Sequence, residues 1–389
     1  MGIIKTLADT ALNKMKIGNI VNRYFADATV TYALKVRSSV EWVLSDVENI
    51  RREVATMGGI TFSKEELAYI ETQCKYLPDD YLTFLKDFRL EPSHVKVWLE
   101  NGELQATAKG LWCEEIYWEL LISIIRECYY ENRAPLDSIQ LEQTYEKARN
   151  KAKKFAELSA FFIDTGTYRR RSYEVQDAVI RGLCDGGGEF FLGTTNAHFA
   201  TKYNLTPHAM MAHEMFSAIA AMYGVENANK IALEKWVETY QGFLGPALTD
   251  TYTTDFFLRT FNPFLAELFD ELLHDSGEPK VWFDKVINHY TSLGIEPKLK
   301  KAWFSDSIDS FEKMKGIINT VGGRMQEIFC IGTWLTNDFD DLKPLNMVFK
   351  LAEVKRTEYE PRQFAVKLSD VSGKYNGDEN TIKDYLTRI

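Results

Sequence analysis

From residue 160 onward, short apolar runs alternate with polar, glycine-bearing tips. The runs read FFIDTGT, EFFLGTTN, HAMMAHE, LGPALTDT, ELLHDSGE, AWFSDS and EIFCIGT, with NMVFKLAEV closing the series. Most are separated by amphipathic stretches long enough for a helix, such as NKIALEKWVETYQ. An apolar run, a polar tip and a helix, repeated, predict parallel strands. This pattern favours an irregular TIM-like α/β barrel over a doubly wound open sheet. Either architecture collects ligand-binding groups at the carboxyl ends of the strands. The preceding region reads differently. ATVTYALKV and HVKVWLE are strand-like, and EEIYWELLISIIRECYY has helical spacing and is too long for one strand. The expected organisation is an N-terminal α+β domain over residues 1–150, joined by residues 360–389, and a barrel over residues 151–359.

The tips carry the candidate chemistry. Asp164, Asp250, Asp275 and Asp306 follow apolar runs directly or within two residues, and Gly166, Gly193, Gly277 and Gly332 accompany them. Glycine lets backbone N–H groups approach a phosphate, and carboxylates position hydroxyls, a metal or a developing cation. One such tip is an ordinary turn. Four in the same phase of the pattern point to a ligand. Arg169, Arg170 and Arg171 follow the first tip, where guanidinium groups suit phosphate capture. A run of like charge is more commonly a solvated face. His213 ends the HAMMA run beside Glu214, which suits a base or nucleophile, although a lone histidine is more often structural.

Composition narrows the classes. The 389 residues are 45% hydrophobic and 26% charged, ordinary for a packed soluble protein. A net charge of −10 argues against nucleic-acid binding. No apolar run approaches the ~18 residues of a membrane span, and the opening residues do not read as a secretory signal, so a cytoplasmic enzyme is expected. The five cysteines are scattered and never paired as CxxC, which argues against a disulfide framework or zinc site, and most sit in apolar surroundings that favour buried, inert thiols. No metal site built from protein ligands is expected.

The order of the tips identifies a resemblance. TGTYRRRS (165–172), FLGTTN (191–196), AHE (212–214), LTDTYTTDFFL (248–258), HDSGEP (274–279), FSDSID (304–309), IGTWLTND (331–338), KPLNMVFKL (343–351) and KLSDVSGK (367–374) resemble nicotinate phosphoribosyltransferase motifs in that family's order. GLWCEEIYWE (110–119) and LADTALNK (7–14) resemble its N-terminal motifs. The resemblance implies an enzyme that joins nicotinate to phosphoribosyl diphosphate, giving nicotinate mononucleotide and pyrophosphate. It implies ATP coupling through a phosphorylated histidine at His213, with Asp250 and Asp275 beside the ribose and base as catalytic groups. Ser276, Gly277, Asp306, Gly332 and Thr333 would hold phosphoribosyl diphosphate together with Arg169 and Arg170. Arg37, Lys350 and Lys374 match basic residues near the pyrophosphate. Mg2+ is expected to accompany the polyanion, bound mainly by substrate oxygens. The family is a homodimer with shared sites, so the partner's N-terminal segment is expected to complete each one.

The departures from the family pattern cluster in the base pocket, which maps onto Asn13, Thr165, Tyr168, Thr195 and Leu273. Asp-Thr-Asp-x-Tyr-Lys becomes Asp9-Thr10-Ala11-Leu12-Asn13-Lys14, and Phe-Gly-Thr-Arg becomes Thr165-Gly166-Thr167-Tyr168. Arg-His-Asp-Ser-Gly opens here with Leu273, and a tryptophan becomes Met215. Losing both stacking rings should cost about 1–3 kcal/mol per contact, and losing a carboxylate-pairing arginine roughly 1.5–3 kcal/mol. The expectation is a family enzyme whose nitrogen-heterocycle acceptor differs from plain nicotinate. The alternative is a non-catalytic dimer that binds a phosphorylated ligand.

Overall fold

The computed structural model describes residues 2–389. The chain is mixed α/β and divides into two compact units, Met1–His208 with Ile331–Lys350, and Ala209–Cys330 with Leu351–Ile389. The division at 150/151 and 359/360 expected from sequence follows element type, whereas these units follow packing.

In the first unit, β1 (Thr29–Val36), β2 (Val95–Glu100) and β3 (Glu103–Leu111) form an antiparallel sheet ordered β1-β3-β2. Leu104, Ala106 and Ala108 alternate inward along β3, the period of a strand with one buried face. Asn101 and Gly102, both at positive φ, make the two-residue turn between β2 and β3. Parallel strands β4 (Phe161–Asp164) and β5 (Phe191–Thr194) follow, joined through the helix Tyr173–Gly187, which Ser172 caps by accepting from the Val175 N–H. That helix packs on Ser138–Glu157, which starts with a capping box of Asp137 and Gln140.

The second unit holds β6 (Ala247–Leu248), β7 (Glu271–His274), β8 (Lys301–Phe304) and β9 (Gln326–Ile331, whose last residue falls in the first unit), all parallel. Leu272 pairs with Ala302 and Trp303 with Ile328, so the strands are apolar and buried, as parallel strands covered on both faces must be. The helix Pro279–Ser292 connects β7 to β8, with Pro279 in its first turn. Phe311–Val321 connects β8 to β9 and ends at Gly322 in the left-handed region. The described strands do not close into a hydrogen-bonded ring.

Two expected strands differ. HAMMAHE makes no strand; of residues 208–212 only Met211 is buried, and His213 opens the helix His213–Tyr223. NMVFKLAEV is a strand, β10 (Met347–Lys355), but its first half lies beside β1 in the antiparallel sheet, and β11 (Gln363–Phe364) pairs with its second half. Lys350, Glu353 and Lys355 interrupt its apolar residues, which suits a sheet with one wet face. Of the cysteines, Cys184 is exposed rather than buried.

The helix pair approaches at glycine. A Cβ on Gly182 would lie 2.5 Å from the Tyr145 carbonyl oxygen, a backbone atom that cannot swing aside. Gly182→Ala is therefore expected to destabilise by about 1–3 kcal/mol through overpacking. Urea unfolding reads this as a lowered midpoint, and an unchanged midpoint would contradict the packing argument.

Candidate active site

The second unit gathers one acidic centre at the carboxyl ends of β6 and β7. Asp250 lies two residues beyond β6, and Asp275 directly follows β7. His213, opening its helix, puts Nε2 at 2.9 Å from Asp275 Oδ2 and 3.8 Å from Asp250 Oδ1. Its Nδ1 is 2.9 Å from Thr251 Oγ1. Carboxylates only accept, so the proton of a neutral ring belongs on Nε2, and Nδ1 keeps a lone pair that accepts the Thr251 hydroxyl.

The carboxylates are held differently. Asp250 is fully buried and accepts from Ser276 Oγ at 2.5 Å, while its Oδ1 has no hydrogen-bond partner. Asp275 is one-third exposed and accepts from Ser305 Oγ at 2.6 Å. Lys367 Nζ lies 3.7 Å from Asp250 and 3.9 Å from Asp275. Burial raises the Asp275 carboxyl, but His213, Lys367 and Ser305 together outweigh it and hold it well below the usual carboxylate range. The turn beyond Asp250 is strained. Thr253, a β-branched residue, sits at φ +74°, and Asp370 pins the next residue by accepting from Thr254 N at 2.7 Å and Oγ1 at 2.6 Å. Ser369 Oγ donates to Ser276 Oγ at 2.9 Å, tying this loop to the β7 tip. Gly277, at φ +88°, completes that tip, and Lys374 meets Asp306 at 3.3 Å in the same unit. Leu273 is buried within β7.

In the first unit, the base-pocket positions adjoin one another. The Leu12 N–H donates to the Thr195 carbonyl, the Thr195 N–H to Asp164, and the Thr165 N–H to Ile331. Tyr168 does not present a free hydroxyl; its oxygen bonds Thr10 Oγ1 at 2.6 Å and accepts from the Ala11 N–H at 3.1 Å. Asn13 Oδ1 is buried without a partner. The chain's own Asp9–Lys14 segment reaches these residues. Gly332 lies beside Thr165 and Arg169, with Thr333 next to it. Arg37 is exposed at the end of β1 and Lys350 half-buried on β10, so both belong to the antiparallel sheet.

Arg170 departs from its expected role as a phosphate ligand. It is fully buried, with Nη1 and Nη2 on Asp9 at 2.6 and 2.8 Å and Nε on Glu127 at 2.8 Å. Its fork is satisfied by the fold. Arg171 is also buried and pairs with Asp341 at 2.7 Å. Sequence reading missed Lys367, Thr251, Ser305 and Asp370, although Lys367 and Asp370 stand inside the quoted KLSDVSGK motif.

Burial first and Lys367 second push the His213 imidazole below its ordinary 6.5, against the pull of Asp250 and Asp275. A lowered native value means that stability from this site is complete above pH 6.5 and is lost as pH falls through the native value. Lys367→Met removes a depressing charge, so His213 should titrate at higher pH than in the unaltered protein. Asp275→Asn should move it lower. Histidine C–H resonances followed by NMR, assigned with His213→Ala, measure both; shifts of the opposite sign would refute the charge assignment.

Comparison with known proteins identifies the family. The profile of the nicotinate phosphoribosyltransferase (NAPRTase) family matches residues 161–388, and that of its N-terminal domain matches residues 8–125. A nicotinate phosphoribosyltransferase of Chromohalobacter salexigens is 35% identical over 385 residues, covering 98% of this chain and 97% of the relative. One from Methanosarcina mazei is 32% identical, with 98% and 97% covered. The crystal structure of nicotinate phosphoribosyltransferase from Porphyromonas gingivalis superimposes with a TM-score of 0.96 at 35% identity, covering 99% of both chains. That from Vibrio cholerae gives 0.91 at 31% identity, covering 99% of this chain and 93% of that one. This chain belongs to the nicotinate phosphoribosyltransferase family.

Proposed function

We propose that the protein transfers the phosphoribosyl group of phosphoribosyl diphosphate to a ring nitrogen of a heterocycle, releasing pyrophosphate. The observation that carries this reading is the ionised Asp275 at a strand tip, hydrogen-bonded to His213 and backed by buried Asp250. As the bond from the anomeric carbon to pyrophosphate oxygen breaks, its electron pair leaves with the pyrophosphate and positive charge grows on the ribose. A fixed carboxylate stabilises that charge without reorganising. Lys367, between the two carboxylates, offers a cation to the departing anion. The attacking nitrogen supplies the pair for the new bond.

ATP coupling belongs to the same reading. The His213 Nδ1 lone pair would attack the γ-phosphorus of ATP once the Thr251 hydroxyl turns away, the bridging P–O bond breaking and its electron pair leaving on ADP, while Asp275 retains the proton on Nε2. Mg2+ fits the two carboxylates, since Asp250 Oδ1 is an unpartnered buried oxygen and Asp275 is partly open to solvent. When bound with the polyphosphate, it would neutralise leaving-group charge.

The acceptor in this proposal differs from plain nicotinate. Support comes from Tyr168, which stands where the family pattern has arginine and whose hydroxyl is tied to Thr10 and Ala11. Leu273 likewise replaces an arginine with a buried aliphatic side chain. Titration of nicotinate and nicotinamide in the presence of phosphoribosyl diphosphate tests this, and micromolar nicotinate affinity with normal turnover would reject it. For the reaction itself, pyrophosphate release is measured across a panel of heterocycles. Asp275→Asn is expected to lower kcat about 10²–10³-fold, and His213→Ala to abolish stimulation by ATP. Undiminished release in Asp275→Asn would sink the mechanism.

A further inference from the structure

Arg126 lies midway along the helix Leu120–Arg133 and has no exposed surface. Ser123, one turn earlier, donates to the Thr167 carbonyl at 3.1 Å. Tyr130, one turn later, accepts from the Asn337 amide at 3.0 Å, and that same nitrogen donates to the Arg169 carbonyl at 3.1 Å. Residues three and four apart share a helix face, so Arg126 sits between two anchors on the face laid along Thr167–Arg169.

Its hydrogen bonding is not met there. Nη2 reaches the Met347 carbonyl at 3.4 Å, and Nε and Nη1 have no partner. Burial disfavours its charge first and neighbouring Arg169 second, with only the Tyr130 phenol in partial relief. A guanidinium nevertheless stays protonated at any physiological pH. Arg170 shows how this fold neutralises a buried arginine that serves structure, with Asp9 and Glu127 as two carboxylates around one fork. Arg126 has no such carboxylate. A buried, unpaired charge is among the costliest features a fold can carry, and the missing negative charge must come from outside the chain.

We infer that Arg126 is the buried half of an oxyanion site whose half-buried outer residue is Arg169, and that its ligand is the phosphoryl or diphosphoryl group of a small molecule. Arg169 leads toward Gly332 and Thr165, with its Cγ 3.5 Å from where a Cβ on Gly332 would stand. Arg126 acts from behind, through a low-dielectric interior that transmits its charge to an anion held at Arg169. It is a positioning residue. The choice of a phosphorylated ligand rests on the proposed function; the oxyanion site itself does not.

The test titrates inorganic pyrophosphate, inorganic phosphate and nicotinate by calorimetry against the full chain and its Arg126→Met, Arg126→Gln and Arg126→Lys variants. Melting temperatures are recorded without ligand. The Met and Gln variants should lose about tenfold or more of the pyrophosphate affinity, while Lys, which keeps the charge, should lose only a few-fold. Without ligand, Met and Gln should melt at or above the unaltered protein, because a buried unpaired charge has been removed. A purely structural arginine would do the reverse, so a fall of many degrees in both variants overturns the inference. Equal pyrophosphate affinity in all four proteins overturns it too, as does failure of the unaltered protein to bind pyrophosphate. Loss confined to nicotinate would replace the phosphoryl group with a carboxylate and overturn the assigned ligand. Turnover of the unaltered protein judges the proposed reaction separately.

Discussion

The guanidinium of Arg170, held between Asp9 and Glu127 with no solvent contact, organises the strand tips of the first unit. It joins three segments far apart in sequence: the N-terminal turn, the helix Leu120–Arg133 and the loop beyond β4. Asn196 extends the network by donating to Asp9 at 2.8 Å while capping the helix that follows β5. Gln176 and Thr194 both donate to Asp164 at 2.8 Å, fixing the ends of β4 and β5 together. Removing one member would strand buried charges at a cost of about 3–5 kcal/mol, a large part of the 5–15 kcal/mol or so that a typical domain has. The position of Tyr168, Thr195 and Asn13 is thus tied to the neighbouring network of Arg170, Asp9 and Asn196.

The second unit treats its charges differently. Asp250 and Asp275 share one histidine and one lysine, so neither carboxylate has a cation of its own. In the first unit, by contrast, Asp9 and Glu127 each make a close bond to the Arg170 guanidinium. Two carboxylates, one partly open to solvent and one buried with an unpartnered oxygen, suit a centre in which charge moves during reaction. The strained Thr253 and the double hydrogen bond from Thr254 to Asp370 hold that centre in place.

Much of this was legible in the chain, and what was not has a physical cause. The tips Asp250 and Asp275 were readable because parallel strands buried on both faces leave continuous apolar runs, which make their polar ends conspicuous. HAMMAHE imitated such a run, but burial of Met211 alone does not make a strand, and His213 acts from a helix start instead. The Arg169–Arg171 run misled for a different reason. Three adjacent arginines look alike in sequence, yet one is half-buried and two are buried, and their carboxylate partners Asp9, Glu127 and Asp341 lie far from them along the chain. Lys367 was hidden by the same distance. Pairwise charge contacts between remote residues leave no periodic trace.

The arginine of the family pattern, absent here, and Arg126 differ in what they can recognise. The family pattern puts a guanidinium at the tip position that Tyr168 occupies here, where its planar fork could meet a ligand directly. Arg126 supplies positive charge from the helix behind that loop, with no nitrogen reaching solvent. A fork in contact reads shape, since a planar carboxylate matches it bidentately. A charge behind the wall supplies field without geometry. A phosphoryl group presents its charge in several directions and gains from such a field, whereas a carboxylate on a flat ring loses the paired hydrogen bonds that fixed its orientation. In the inferred oxyanion site Arg126 therefore adds attraction, and orientation of the bound group is left to the residues that touch it.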